Sequence, residues 1–149
     1  MRIAGGLLTA AIAATIAGCG ASAQPQAAPA PATVSTKPSE TLAPLLEKAL
    51  PNVPGKTFTS AVVSFPPGAS AVPHRHGDAF VYAYVLEGAV RSELEGEPAH
   101  TYHRGENWTE PPGAHHVATE NTSTTEPAKL LVVFVATTGE QLKVDDLPQ

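Results

Sequence analysis

His74 and His76 place two imidazoles two residues apart, and His116 supplies a third from the run Pro111-Pro112-Gly113-Ala114-His115-His116. In an extended strand, residues i and i+2 project to the same face, so His74 and His76 aim two ring nitrogens at one point. With His116 brought in on a neighbouring strand, an all-β chain acquires three nitrogen ligands for a metal. Three neutral imidazoles leave a divalent ion its full formal charge and open positions for water or substrate. Iron, manganese, nickel, copper and zinc all accept such a set, and imidazole alone does not choose among them. A redox metal would bring dioxygen chemistry within reach, whereas zinc would favour Lewis-acid isomerisation or hydrolysis. A lone histidine on a strand is more often an ordinary hydrogen-bonded polar residue, so the weight rests on the pair. His115 is the alternative ligand on its segment, but alternation points it away from His116, toward the rim.

The elements that must carry these residues are strands. Apolar runs punctuated by Gly and Pro recur at 57–65, 80–86, 89–95, 99–103, 115–119 and 128–137. Regular short strands with turn signals predict an all-β sandwich or barrel. The runs 80–86 and 130–135 are apolar on both faces, so their outer faces call for a cover as well. Two covers are available, a second subunit or an N-terminal helix. Ser39 is placed to cap a helix over 39–50, with Leu42, Leu45, Leu46, Ala49 and Leu50 at helical spacing and Pro51 ending it; Pro44 falls in its first turns. A homodimer is the expected arrangement, because exposed sheet area of this kind usually finds a partner.

The segments 66–88 and 105–121 resemble the two motifs of the cupin superfamily. In the first, Gly68, His74, His76 and Gly88 stand at the family's positions; in the second, Gly105, Pro111, Gly113 and His116 do. The resemblance spans residues 55–137 and implies a single antiparallel jelly-roll β-barrel with His74, His76 and His116 as metal ligands. Two positions depart from the family pattern. Its glutamate falls on Val81, which cannot bind a metal, and its asparagine falls on Glu120, with Asn121 one residue late. The implied site therefore has three imidazoles and no carboxylate, with Val81, Ala83 and Val85 forming an apolar inner wall. Asp78, in the loop after His76, is the alternative that could lend a carboxylate in place of the missing glutamate. Glu110 reads as a solvated loop charge, and His100 and His103 as surface groups.

The chain opens with MRIAGGLLTAAIAATIAGCGASA, a lone Arg2 followed by small apolar residues, which reads as a signal peptide over 1–23. Ile16-Ala17-Gly18-Cys19 resembles the bacterial lipobox, in which Cys19 becomes the lipidated N-terminus; Ala21-Ser22-Ala23 is the competing site for ordinary signal peptidase. Residues 24–38 are Pro/Ala-rich and read as an extended tether, leaving 39–149 as the folded domain. The expected product is exported, as a periplasmic or outer-membrane lipoprotein or a soluble secreted protein, touching the membrane only through the lipid. The single cysteine excludes an internal disulfide. A net charge of −5 without a basic stripe argues against nucleic-acid binding. No Gly-x-Ser-x-Gly occurs, and no nucleophile–base pair is visible. Two functional classes remain: a metal-dependent enzyme, dioxygenase-like or an isomerase, acting on a small molecule, and a non-catalytic ligand-binding or structural envelope barrel.

Overall fold

A computed structural model describes residues 38–147, and the expectations for the signal segment, Cys19 and most of the tether lie outside it. Ten strands follow one another: β1 (Thr41–Ala49), β2 (Lys56–Phe65), β3 (His74–Arg75), β4 (Phe80–Glu87), β5 (Ala89–Leu94), β6 (His100–His103), β7 (Asn107–Glu110), β8 (His115–Asn121), β9 (Ala128–Thr137) and β10 (Val144–Asp145). They form two five-stranded antiparallel sheets, ordered β1-β2-β9-β4-β7 and β10-β3-β8-β5-β6. This is the all-β, jelly-roll-like architecture expected of the sequence.

The core lies between the sheets and follows from period-2 alternation. On β9, Ala128, Leu130, Val132, Phe134 and Ala136 are buried; on β4, Val81, Ala83 and Val85 are. Phe65, Val90 and Trp108 fill the space between. Each buried Val, Leu or Phe among them contributes about 1.5–3 kcal/mol by leaving water. Phe80 and Leu86, on the outer face of β4, stay exposed.

The expected helix over 39–50 is a strand, and among the described residues there is no helix. Pro44 decides against the helix: it lacks an N–H and pushes Ala43 out of the α region. The edge of β2 offers an unpaired ladder instead, and β1 pairs with it antiparallel, with a register shift between Pro44 and Leu46. An edge strand with a bulge is where a sheet tolerates proline. Leu42, Leu45 and Leu46 remain exposed on it, and among the described residues no helix covers the outer face of the barrel.

Gly88 turns β4 into β5 at φ 72°, and a Cβ there would sit 2.7 Å from the Pro127 carbonyl. Only glycine fits both constraints. Asn121 ends β8 and ties three segments together. Its Nδ2 donates to the carbonyls of Glu126 (2.7 Å), Pro66 (3.1 Å) and Phe65 (3.3 Å), and its Oδ1 accepts from Ser123 N (2.9 Å). Glu120, at the family's asparagine position, instead pairs with Arg91 at 3.4 Å. Replacing Asn121 by alanine leaves these buried groups unsatisfied and should cost about 3 kcal/mol in urea unfolding. Asn121→Asp, which cannot donate, should lose a comparable amount.

Candidate metal centre

Strand β3 is two residues long and lies between β8 and β10. His74 sits directly opposite His116 across the β3–β8 ladder, and Arg75 opposite His115. The alternation therefore turns His74 and His116 inward together, with His76 following at the end of β3. All three are buried, and their candidate ligand atoms lie within 4.8 Å of one another. A backbone hydrogen bond from Gly113 N to Gly77 O, 2.7 Å, ties the loop after His76 to the loop before His115.

Hydrogen bonds fix the ring orientations. His74 Nδ1 faces the Val72 carbonyl at 2.7 Å, and His76 Nδ1 faces the Leu142 carbonyl. A carbonyl can only accept, so each Nδ1 carries the hydrogen and each Nε2 keeps its lone pair. A backbone carbonyl holding the distal N–H is the usual outer-shell support of a metal-binding histidine. His116 Nε2 lies 2.8 Å from both Ser92 Oγ and Thr119 Oγ1, which leaves Nδ1 facing Glu110.

Glu110 corrects the sequence reading. It is 3% exposed rather than solvated. Its Oε1 lies 3.1 Å from His116 Nδ1 and accepts Trp108 Nε1–H at 3.1 Å; its Oε2 lies 3.6 Å from His76 Nε2. Oε2 and His116 Nδ1 are buried with no hydrogen-bond partner. The signal was present in the sequence: Trp108 must point inward, and Glu110, two residues on, shares its face. The adjacent prolines made the segment look like a loop.

The other candidates lie elsewhere. Asp78 is a surface residue that pairs with Lys56 at 2.7 Å and accepts the Thr137 N–H, so it lends no carboxylate to the histidines. His115 faces outward to Asp146 at 2.8 Å. His100 and His103 are exposed on β6. Val81 and Ala83 line a cavity of about 150 Å³ beside the histidines, together with Val63, Phe65, Leu130, Val132 and Phe134.

Burial pushes His74 down to about 4, with the Val72 carbonyl opposing it and the neighbouring imidazoles adding to it. His76 is lowered for the same reason, against the Leu142 carbonyl and Glu110. Burial raises the Glu110 carboxyl, but His116, His76 and the Trp108 N–H outweigh it and hold it below the ordinary carboxylate value. Two neutral imidazoles and a buried carboxylate suit a cation.

The cupin-domain family matches residues 61–134. No curated protein sequence matches the chain. Among solved structures, the DMSP lyase DddQ of Ruegeria pomeroyi DSS-3 is 26% identical, with a TM-score of 0.51 over 58% of this chain and 42% of that one. An uncharacterised double-stranded β-helix protein of Klebsiella pneumoniae is 17% identical, with a TM-score of 0.57 over 74% and 86%. Oxalate oxidase in complex with the substrate analogue glycolate is 21% identical, with a TM-score of 0.50 over 70% and 57%. The chain thus spans less than two thirds of the lyase and of the oxidase.

The folded imidazole of His74 takes up a proton only near pH 4, whereas the unfolded one does so near 6.5. Between these values the unfolded state binds more protons, so the metal-free protein should lose stability as pH falls through that window. Urea midpoints at pH 7 and pH 5 test this, and a His74→Gln variant should show the smaller drop. Residues 61–134 match the cupin-domain family, and the two-sheet architecture has the jelly-roll-like fold of the cupin structures it resembles.

Proposed function

We propose that this protein is an exported cupin that holds one divalent transition metal on His74, His76 and His116 and acts there on a small molecule. The observation that carries the reading is the pair of Nε2 lone pairs, fixed by the Val72 and Leu142 carbonyls and directed at a buried centre that His116 also faces. When bound, the metal would supply Lewis acidity and, if redox-active, electron transfer to a substrate in its open positions. Lyase and oxidase activities occur among the proteins of this fold named above, which supports an enzyme without choosing its reaction.

The chain's own residues define the rest. Val81, Ala83, Leu130 and Phe134 form an apolar wall that excludes water from one side of the site. A cavity of about 150 Å³ beside the histidines suits a small-molecule guest. Ser92 and Thr119 hold the His116 ring from behind by hydrogen bonds to Nε2. The iron, manganese, nickel, copper and zinc alternatives are separated by elemental analysis.

The full chain, produced without an affinity tag, should carry close to one transition metal per molecule by elemental mass spectrometry. His76→Ala should lose it with an unchanged far-ultraviolet circular dichroism spectrum. Absence of metal even after reconstitution sinks the metalloenzyme reading and leaves a ligand-binding or structural barrel. Oxygen uptake with the metal found then separates oxygenase from non-redox chemistry.

Export and self-association belong to the same proposal. The apolar segment ending at Cys19 supports a lipid anchor, with 24–38 as the spacer. The exposed Phe80 and Leu86 on the outer face of β4 support a covering second copy. Labelled palmitate should enter the chain and be lost in Cys19→Ser, and sedimentation should return a dimer; a monomer at micromolar concentration rejects the second copy.

A further inference from the structure

Val81 and Glu110 are direct partners in the antiparallel β4–β7 ladder. Paired residues of such a ladder share a face with Cβ atoms roughly 4.5–5.5 Å apart. Both are buried, so a carboxylate missing from position 81 is present one strand away on the same inner face. We propose that Glu110 is the carboxylate ligand of this metal centre, delivered by β7 from the position opposite the one where the cupin motif places its glutamate. The inference rests on the metal reading above and extends its ligand set to three nitrogens and one oxygen.

The geometry defines how Glu110 would bind. Trp108 Nε1–H occupies Oε1 at 3.1 Å, whereas Oε2 is buried without a hydrogen-bond partner and is 3.6 Å from His76 Nε2. The indole thus holds one oxygen and leaves the other to ligate, so Glu110 binds through a single oxygen. Among the described residues, the ion-pair partners of Glu110 are only His76 and His116, with no lysine or arginine. The nearby Lys143 is held by Glu40 at 3.0 Å and by Asp145 at 2.5 Å. A buried carboxylate without a fixed cation, facing imidazole lone pairs, is a donor set built for an ion. One carboxylate lowers the net charge of a divalent centre to +1, and the centre still attracts an anionic substrate.

The competing role for Glu110 is to orient His116 by accepting from its Nδ1. The two roles separate in one set of variants of the full chain, titrated with Co²⁺ and followed by visible absorption and affinity. As a ligand, Glu110→Gln weakens Co²⁺ binding by about 100-fold or more, above the usual 10–100-fold for an outer-shell partner, and shifts the cobalt bands. The exchanged variant Val81→Glu/Glu110→Val returns the carboxylate to the opposite strand and recovers affinity to within tenfold of the parent. As an orienting group, glutamine remains an acceptor, Co²⁺ binding weakens by less than 100-fold and the bands do not move, which overturns the inference and leaves the three-histidine reading standing. A parent chain that binds no Co²⁺ overturns both. Should Glu110→Gln fail to fold, the exchanged variant decides alone: recovery supports the ligand role, and affinity more than 100-fold below the parent overturns it.

Discussion

The register of β3 against β8 is the constraint on which the site depends. With His74 opposite His116, both imidazoles face the interior; a slip of one residue would send the histidines outward and Arg75 inward. Two residues of strand cannot hold that register alone. It is pinned by β10 on the other side, by the Gly113–Gly77 bond between the loops, and by Asp146 N donating to the Pro73 carbonyl. The ring hydrogen bonds to the Val72 and Leu142 carbonyls add a side-chain lock to the backbone one. Much of the hydrogen bonding around β3 thus serves to keep two nitrogens aimed inward.

That arrangement carries an energetic penalty that the rest of the barrel must offset. Polar groups buried without partners cost about 1–3 kcal/mol each, and Glu110 Oε2 and His116 Nδ1 are both in that condition. The opposing contribution comes from the apolar inner faces of β4 and β9, which bury Val81, Val85, Leu130 and Phe134 around the site. Local strain of this kind is maintained only where surrounding packing over-determines it, and it gathers at functional positions.

How legible the site was follows from which residues carry periodicity. The histidine pair was readable from strand alternation, and His116 from the spacing it shares with the cupin motif. Most of the long strands were visible as apolar runs, because burial on an inner face imposes period two. Strand β10, two residues long, carries no periodicity and was invisible as a strand, whereas β3, equally short, was legible only through its histidine pair. The 39–50 segment misled because its leucines fit helical spacing, whereas the edge of β2 imposes no spacing on an exposed strand; Pro44 was the deciding residue. Glu110 was missed because Pro111 and Pro112 drew attention to the turn and away from Trp108, whose inward side chain sets the face of the residue two positions on. The relation between Glu110 and Val81 is a cross-strand pairing, which only the folded register reveals.

The lining of the cavity divides what the family match can explain from what it cannot. Ligand positions and the apolar wall fall within residues 61–134, the span that matches the cupin domain. Glu40, Leu42, Leu142 and Lys143, which also line the cavity, come from the two ends of the described chain and lie outside that span. The Lys143–Glu40 pair joins these ends across 103 positions of sequence. The same C-terminal segment supplies the Leu142 carbonyl that orients His76. The two ends of the described residues therefore both line the cavity and steady the His76 imidazole, so a change in one is transmitted to the other. Cavity lining and imidazole orientation are coupled through adjacent residues, since the Leu142 carbonyl holds the His76 ring and the Lys143 side chain pairs with Glu40.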